Sequence, residues 1–207
     1  MTPPDPLTGR LFLLGYDQRR QRIYGGTNHG YVIRAAALEE LRLCGSIVDE
    51  QGKPRATGQA APDDRVVAGV LAEITHSGKP RTWKHWINTN SRATYAAVRD
   101  QLDDRLYVRD EPYRALGLFP AHRTYVRDQS AVDALRAEVD RILTGTGPAS
   151  PRAAALVTLA AAGELGTVLN WRGRRQYRER IKELTTGPVP PALRKVLQAQ
   201  QAAMAGG

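Results

Sequence analysis

Ile33-Arg34-Ala35-Ala36-Ala37-Leu38-Glu39-Glu40-Leu41-Arg42-Leu43-Cys44-Gly45-Ser46-Ile47 is the stretch on which the fold turns. Ile33, Ala37, Leu41 and Cys44 recur at steps of four, four and three, which places them on one helical face. Gly45 follows, a residue that accepts left-handed geometry at little steric cost, so a packed helix is expected from Val32 to Cys44 with its exit there. Cys44 lies on the apolar stripe, and burial accounts for it better than a role as an activated nucleophile.

Working outward, Leu7, Leu11 and Leu14 are spaced for a first helix, although residues 11–14 also suit a buried strand. Residues 48–64 are poor in large apolar groups and read as an exposed connector. Val66, Val67, Val70, Leu71 and Ile74 mark a helical face that the valines also leave open to a strand. From Ser91, a plausible cap, to Leu106 the residues Tyr95, Val98, Leu102 and Leu106 point one way at near one-turn spacing. The β-prone clusters 106–108 and 124–126 flank a turn-rich segment with Pro112, Gly117 and Pro120, which suggests a small hairpin.

Ser130 and Asp133 form a shortened capping pattern ahead of the stripe Val132, Leu135, Val139 and Ile142. Ser150-Pro151 opens a further helix, whose run from Ala153 to Ala162 is short enough in its side chains to pack closely and deeply. Leu165, Val168, Leu169 and Trp171 extend the apolar supply, and Ala192 to Ala205 suits a last amphipathic helix after Pro188, Pro190 and Pro191. The expected fold is mainly α, a single compact helical domain with a small projecting β-hairpin. Its parts are a flexible N-terminal segment 1–6, the helical domain 7–186, and a proline-rich connection with a C-terminal helix or tail over 187–207.

The 207 residues, 42% hydrophobic and 25% charged, suffice for one apolar core without disulfide or metal staples. A net charge of +9 favours an anionic partner, nucleic acid or membrane lipid, without choosing between them. The excess is uneven: residues 141–207 hold ten basic residues against three acids. A single cysteine, no leader-like start and no long apolar run lead to the expectation of a cytoplasmic chain that does not span a membrane.

No catalytic constellation emerges. His29, His76, His85 and His122 lack partners at zinc-site spacing. The adjacent acids Asp49-Glu50, Asp63-Asp64 and Asp103-Asp104 diverge on a helix and face water in a loop. Gly25-Gly26-Thr27-Asn28-His29-Gly30 is glycine-rich but lacks the lysine and hydroxyl that end a phosphate-cradling nucleotide loop.

Several ordered segments resemble the Golgi phosphoprotein 3-like family of peripheral membrane proteins, particularly its actinobacterial-looking members. Residues 11–17 resemble the family's opening helix and residues 33–47 its first signature helix with the glycine exit. Ser77-Gly78-Lys79-Pro80-Arg81 followed by Trp86 resembles the family connector. Gly117-Leu118-Phe119-Pro120 with Tyr125-Val126-Arg127-Asp128 resembles its projecting hairpin, and residues 152–160 its late core helix. The likeness covers roughly residues 7 to 186.

The resemblance implies a non-enzymatic peripheral membrane adaptor, without cofactor or metal. It would bind phosphatidylinositol 4-phosphate or a related anionic phospholipid headgroup at the cytosolic face of a membrane. An arginine at the start of the family's signature helix matches Arg34, and one at the start of its central helix matches Arg92, so these two are the expected headgroup ligands. A guanidinium offers phosphate a planar fork of donors, and helix starts add positive partial charge. Two departures stand out: the family's membrane-facing tryptophan has no aromatic counterpart near Gly25 and Gly26, and Tyr95 stands where the family has a second arginine.

Arg174, Arg175 and Arg178 are expected to add general attraction to an anionic surface, unless they only solubilise an exposed face. The hairpin residues Leu118, Phe119, Tyr125 and Arg127 are candidates for contact with a protein client or a second copy through a strand edge. Two rival classes stay open: a winged-helix-like nucleic-acid binder using Arg92 and Arg99, and an assembly module without a specific lipid ligand.

Overall fold

A computed structural model describes residues 2–23, 27–115 and 118–206. The chain runs α1 (Leu7–Leu14), β1 (Tyr16–Asp17), β2 (Arg22–Ile23), α2 (Thr27–Leu43), β3 (Ile47–Glu50), β4 (Lys53–Ala56), α3 (Arg65–Thr75), α4 (Trp83–Asn88) and α5 (Ser91–Asp104). It continues β5 (Val108–Ala115), β6 (Phe119–Val126), α6 (Gln129–Thr144), α7 (Pro151–Ala162), α8 (Trp171–Gln176), α9 (Arg178–Leu184) and α10 (Val189–Ala205). The domain is mainly helical, and its strands form three separate antiparallel hairpins.

α2 is the axis of the domain. It packs against α1, α3, α4, α5, α7 and α10, and every residue from Val32 to Leu41 is buried. One apolar stripe would have sufficed for a surface helix; here Ala35, Ala36 and Ala37 keep the other faces slim enough to be enclosed as well. The exit forms as expected. Gly45 has φ +80° and Ser46 N–H donates back to the Leu41 carbonyl, the bond that closes a left-handed helix end. Cys44 lies just past the helix, half-buried, with its thiol donating to the Leu41 carbonyl.

Four local expectations are corrected. Residues 48–64 are not wholly a connector, since β3 and β4 pair through a turn at Gln51 (φ +53°) and Gly52 (φ +79°), the left-handed pair that matches strand twist. Ser91 is the first residue of α5 rather than its cap, following Asn90 in left-handed geometry. Leu106 leaves the helix at φ +62° and is 59% exposed, so it is not a core residue. Asp128, not Ser130, caps α6, accepting from the Ser130 N–H.

α7 begins as the sequence implies, with the Ser150 side chain accepting from Ala153 N–H and Pro151 in the first turn. Its residues Ala154 to Ala162 are all buried. A Cβ at Gly163 would fall 2.3 Å from Val32 Cγ2, so only glycine allows α7 and α2 to approach this closely. α10 seals the far side with Val189, Leu193, Val196 and Leu197 buried against α2, α4 and α7.

The β5–β6 hairpin has eight paired positions from Val108↔Val126 to Ala115↔Phe119. Val108 is buried at its base, while Leu118 near its tip is 75% exposed. Gly25, Gly26 and Gly117 lie outside the described residues.

Candidate functional site

Two helix starts meet on one side of the domain. A Cβ built on Gly30, in the first turn of α2, would lie 3.2 Å from the Ser91 carbonyl oxygen and 3.8 Å from the Arg92 nitrogen. The glycine therefore lets the positive ends of the 17-residue α2 and the 14-residue α5 converge. Arg92 stands at this junction, exposed, and among the described residues no ion pair or hydrogen bond holds its side chain.

Arg34, one turn further along α2, departs from its expected place at the surface. Its side chain is 0% exposed and pairs with Glu73 of α3, Nη2 to Oε2 at 2.6 Å and Nη1 to Oε1 at 3.3 Å. Nη1 also donates to Thr94 Oγ1 of α5, and Nε donates to the Trp86 carbonyl of α4. A guanidinium taken out of water requires this level of compensation. Arg34 thus ties four helices together and is closed off from the surface, where Arg92 is exposed. Asn90 Nδ2 donates to the same Glu73 carboxylate, which links the tie to the turn that positions Arg92.

Tyr95, one turn past Arg92, belongs to a different structure. Its ring lies 4.9 Å from Phe12 and 5.5 Å from His29, and burial pushes its hydroxyl up to about 12. His29 is buried, with Nε2 donating to the Leu11 carbonyl and Nδ1 left without a partner. Burial holds its pKa down at about 4, so it is neutral at physiological pH. An aromatic cluster therefore occupies the place of a second cation.

A cavity of about 910 Å³ opens beside the same start of α2, lined by Asn28, His29, Arg19, Arg20, Arg136 and Glu164 among others. Two of its cations have partners, since Arg20 reaches Asp17 and Arg136 donates to the Tyr16 carbonyl, while Arg19 is exposed and bonds Asp17 only through its backbone N–H. Arg92 does not line it.

The C-terminal arginines lie elsewhere. α5 packs chiefly on α1, α2, α3 and β5, whereas α8 packs on α9 and α9 on α7. Arg175 and Arg178 are exposed, Arg178 with a surface pair to Glu179, while Arg174 is half-buried and donates to the Leu169 carbonyl. Trp171, expected to add to the core, is instead 61% exposed at the start of α8 with the Arg172 guanidinium 5.4 Å from its ring. Apolar character alone could not place it, because its partner positions on a six-residue helix are all charged or polar.

On the hairpin, Leu118 is exposed, Tyr125 half-buried beneath Arg109, and Arg127 pinned by donation to the Val108 carbonyl. The Phe119 side chain lies outside the described set. Arg99, the second cation of the nucleic-acid reading, is largely buried between Asp100 and Asp110.

Residues 7–200 match the model of the family described as Golgi phosphoprotein 3 (GPP34). The chain belongs to the Golgi phosphoprotein 3 family. A search of curated proteins finds no match. The GPP34 match takes in most of α10, which the resemblance read from residues 7 to 186 had left outside. Among the described residues no helix is long and apolar enough to cross a membrane.

Proposed function

We propose that this GPP34 protein is a non-enzymatic peripheral membrane adaptor that binds an anionic phospholipid headgroup, phosphatidylinositol 4-phosphate or a close relative, at a cytosolic membrane face. The observation that carries the reading is Arg92: a cation held exposed and, among the described residues, without an acid partner where two helix starts converge. Charge-assisted donation from a guanidinium, reinforced by helix-start N–H groups, suits a phosphomonoester. Arg34 acts as a positioning residue that fixes α5 against α2 through Glu73 and Thr94. Arg175 and Arg178, with the exposed Trp171 at a polar–apolar boundary, add attraction to the membrane surface.

The nucleic-acid reading loses support because α5 presents Asp100, Asp103 and Asp104, and Arg99 is already neutralised. The exposed Leu118 favours a role for the hairpin in contact with a client or second copy, alongside lipid binding. An unchanged solution mass on Leu118→Asp would remove self-assembly from that role.

The test is a vesicle panel of phosphorylated inositol lipids against nonphosphorylated anionic lipids at equal surface charge. It is run with the parent, Arg92→Ala and Arg34→Ala. Selective binding to the phosphorylated lipids, lost in Arg92→Ala with the fold intact, is expected. Equal binding to every equally charged surface would defeat the headgroup site.

A further inference from the structure

α9 carries two cations one turn apart, Arg178 and Lys182, with Arg174 preceding them on α8 and Arg194 facing them from α10. These four side chains, with Thr185, surround a cleft of about 330 Å³ whose apolar lining is Ala161, Ile181 and Pro191. No acid lines it. Among the described residues Lys182 and Arg194 make no ion pair, and Arg178 holds only the highly exposed Glu179. The acids nearest in sequence point to other duties: Glu183 pairs with Arg180, and Glu164 faces an adjoining depression where Gln201 donates to it and Arg174 lies 3.8 Å away.

Like charges at one-turn spacing destabilise a helix by a few tenths of a kcal/mol. Here Arg174 has Glu164 at 3.8 Å and Arg178 has the surface acid Glu179, while among the described residues Lys182 and Arg194 have no acid to offset them. The volume is at the lower end of the roughly 300–1,000 Å³ typical of small-molecule sites. We propose that the cleft between α7, α9 and α10 is a second anion site, separate from Arg92, that takes a phosphomonoester carried on a small organic body. A phosphomonoester bears close to two negative charges at neutral pH and three acceptor oxygens, enough to engage several cations at once. The aliphatic floor accommodates the organic part, and a phosphodiester, with a single charge, leaves most of the cations unengaged.

The source of that group is either a lipid headgroup or a soluble organic phosphate, and two arms separate them. In the first, site-resolved NMR follows the backbone amides of α9 and α10 during titration with glycerol 3-phosphate, with glycerol as the uncharged control. In the second, the full chain is bound to vesicles of phosphatidic acid or of phosphatidylglycerol at equal surface charge. The expected result is binding that prefers the phosphomonoester in at least one arm. The double variant Lys182→Glu/Arg194→Glu weakens it at least about tenfold. Arg172→Glu, an equal charge step per residue outside the cleft, changes it less than about twofold. All substituted side chains are exposed, and unchanged thermal midpoints confirm the fold.

Response to glycerol 3-phosphate assigns a soluble-sized ligand; response to phosphatidic acid alone assigns a lipid headgroup. The site is overturned if glycerol 3-phosphate gives no response over glycerol and phosphatidic acid binds no better than phosphatidylglycerol, or if Arg172→Glu is as damaging per charge as the double variant. Arg92→Ala leaves the α9–α10 response intact, so failure of the headgroup reading at Arg92 is recorded separately.

Discussion

α2 and the α8–α9 segment use the same side chain to opposite ends. Arg34 is enclosed on α2, and its neighbours supply a carboxylate, a hydroxyl and a carbonyl to replace water. The other charges of α2 follow the same rule: Glu39 pairs with Arg42, and Glu40 with Arg152 and the Leu7 N–H. Burial still pushes the Glu40 carboxyl above its usual range despite those partners. On α8 and α9, Arg180 is held by the Ile142 and Gly147 carbonyls and Glu183, and Arg174 by the Leu169 carbonyl and Glu164, but Arg175 and Arg178 are exposed and keep their hydration. Charge in the first region fixes helices; in the second, Arg175 and Arg178 face solvent.

The sharpest way to break this contrast is to remove Glu73. Glu73→Ala leaves the Arg34 guanidinium buried without a carboxylate and is expected to cost roughly 3 kcal/mol, read by chemical denaturation. A cost below about 1 kcal/mol would mean that Arg34 reaches water and reopens its direct role at the headgroup. The pair Arg34→Met/Glu73→Leu should recover at least half of the loss, because no charge is then left stranded.

A comparable effect is expected from acid. His29 has a folded pKa of about 4 against an ordinary value of 6.5, so between these values the unfolded chain binds the extra proton. Stability is complete above pH 6.5 and falls as the pH drops toward 4, by up to about 3 kcal/mol from this group. Denaturation at a series of pH values should show that slope, and it should flatten in His29→Phe.

Smaller in free energy, and the direct test of the proposed headgroup site, is Arg92→Ala. It is expected to weaken binding to phosphatidylinositol 4-phosphate vesicles about tenfold, the weight of one charge-assisted contact, with no shift in Tm. The least effect on stability belongs to Arg178→Ala. Its pair with Glu179 is highly exposed on both sides, so the change should stay within about 0.5 kcal/mol.

The helices were largely legible because their signals are local. The Ile33, Ala37 and Leu41 stripe, the Gly45 exit, the Ser150-Pro151 start and the β-prone clusters around the hairpin all act within a few residues. The β3–β4 turn was missed because Gln51-Gly52 sits among exposed polar residues, with almost no apolar alternation on either strand. The surface site was only half legible. Arg34 and Arg92 both begin helices in sequence terms, and nothing within a turn of Arg34 shows that Glu73, 39 residues away, will cover it. Arg174 and Arg178 were visible as charge, but their meeting with Arg194 needed the fold of α10 against α7.

By itself the sequence determined most of the helices to within a few residues at their ends, the alanine-rich helix after Ser150-Pro151 and the surplus of cations, because propensity, capping and periodicity are written in neighbouring residues. Only the tertiary structure decided which cation is which. Whether an arginine becomes an internal tie or an open contact depends on the water it loses and the acids it meets, and both come from segments far away in the chain.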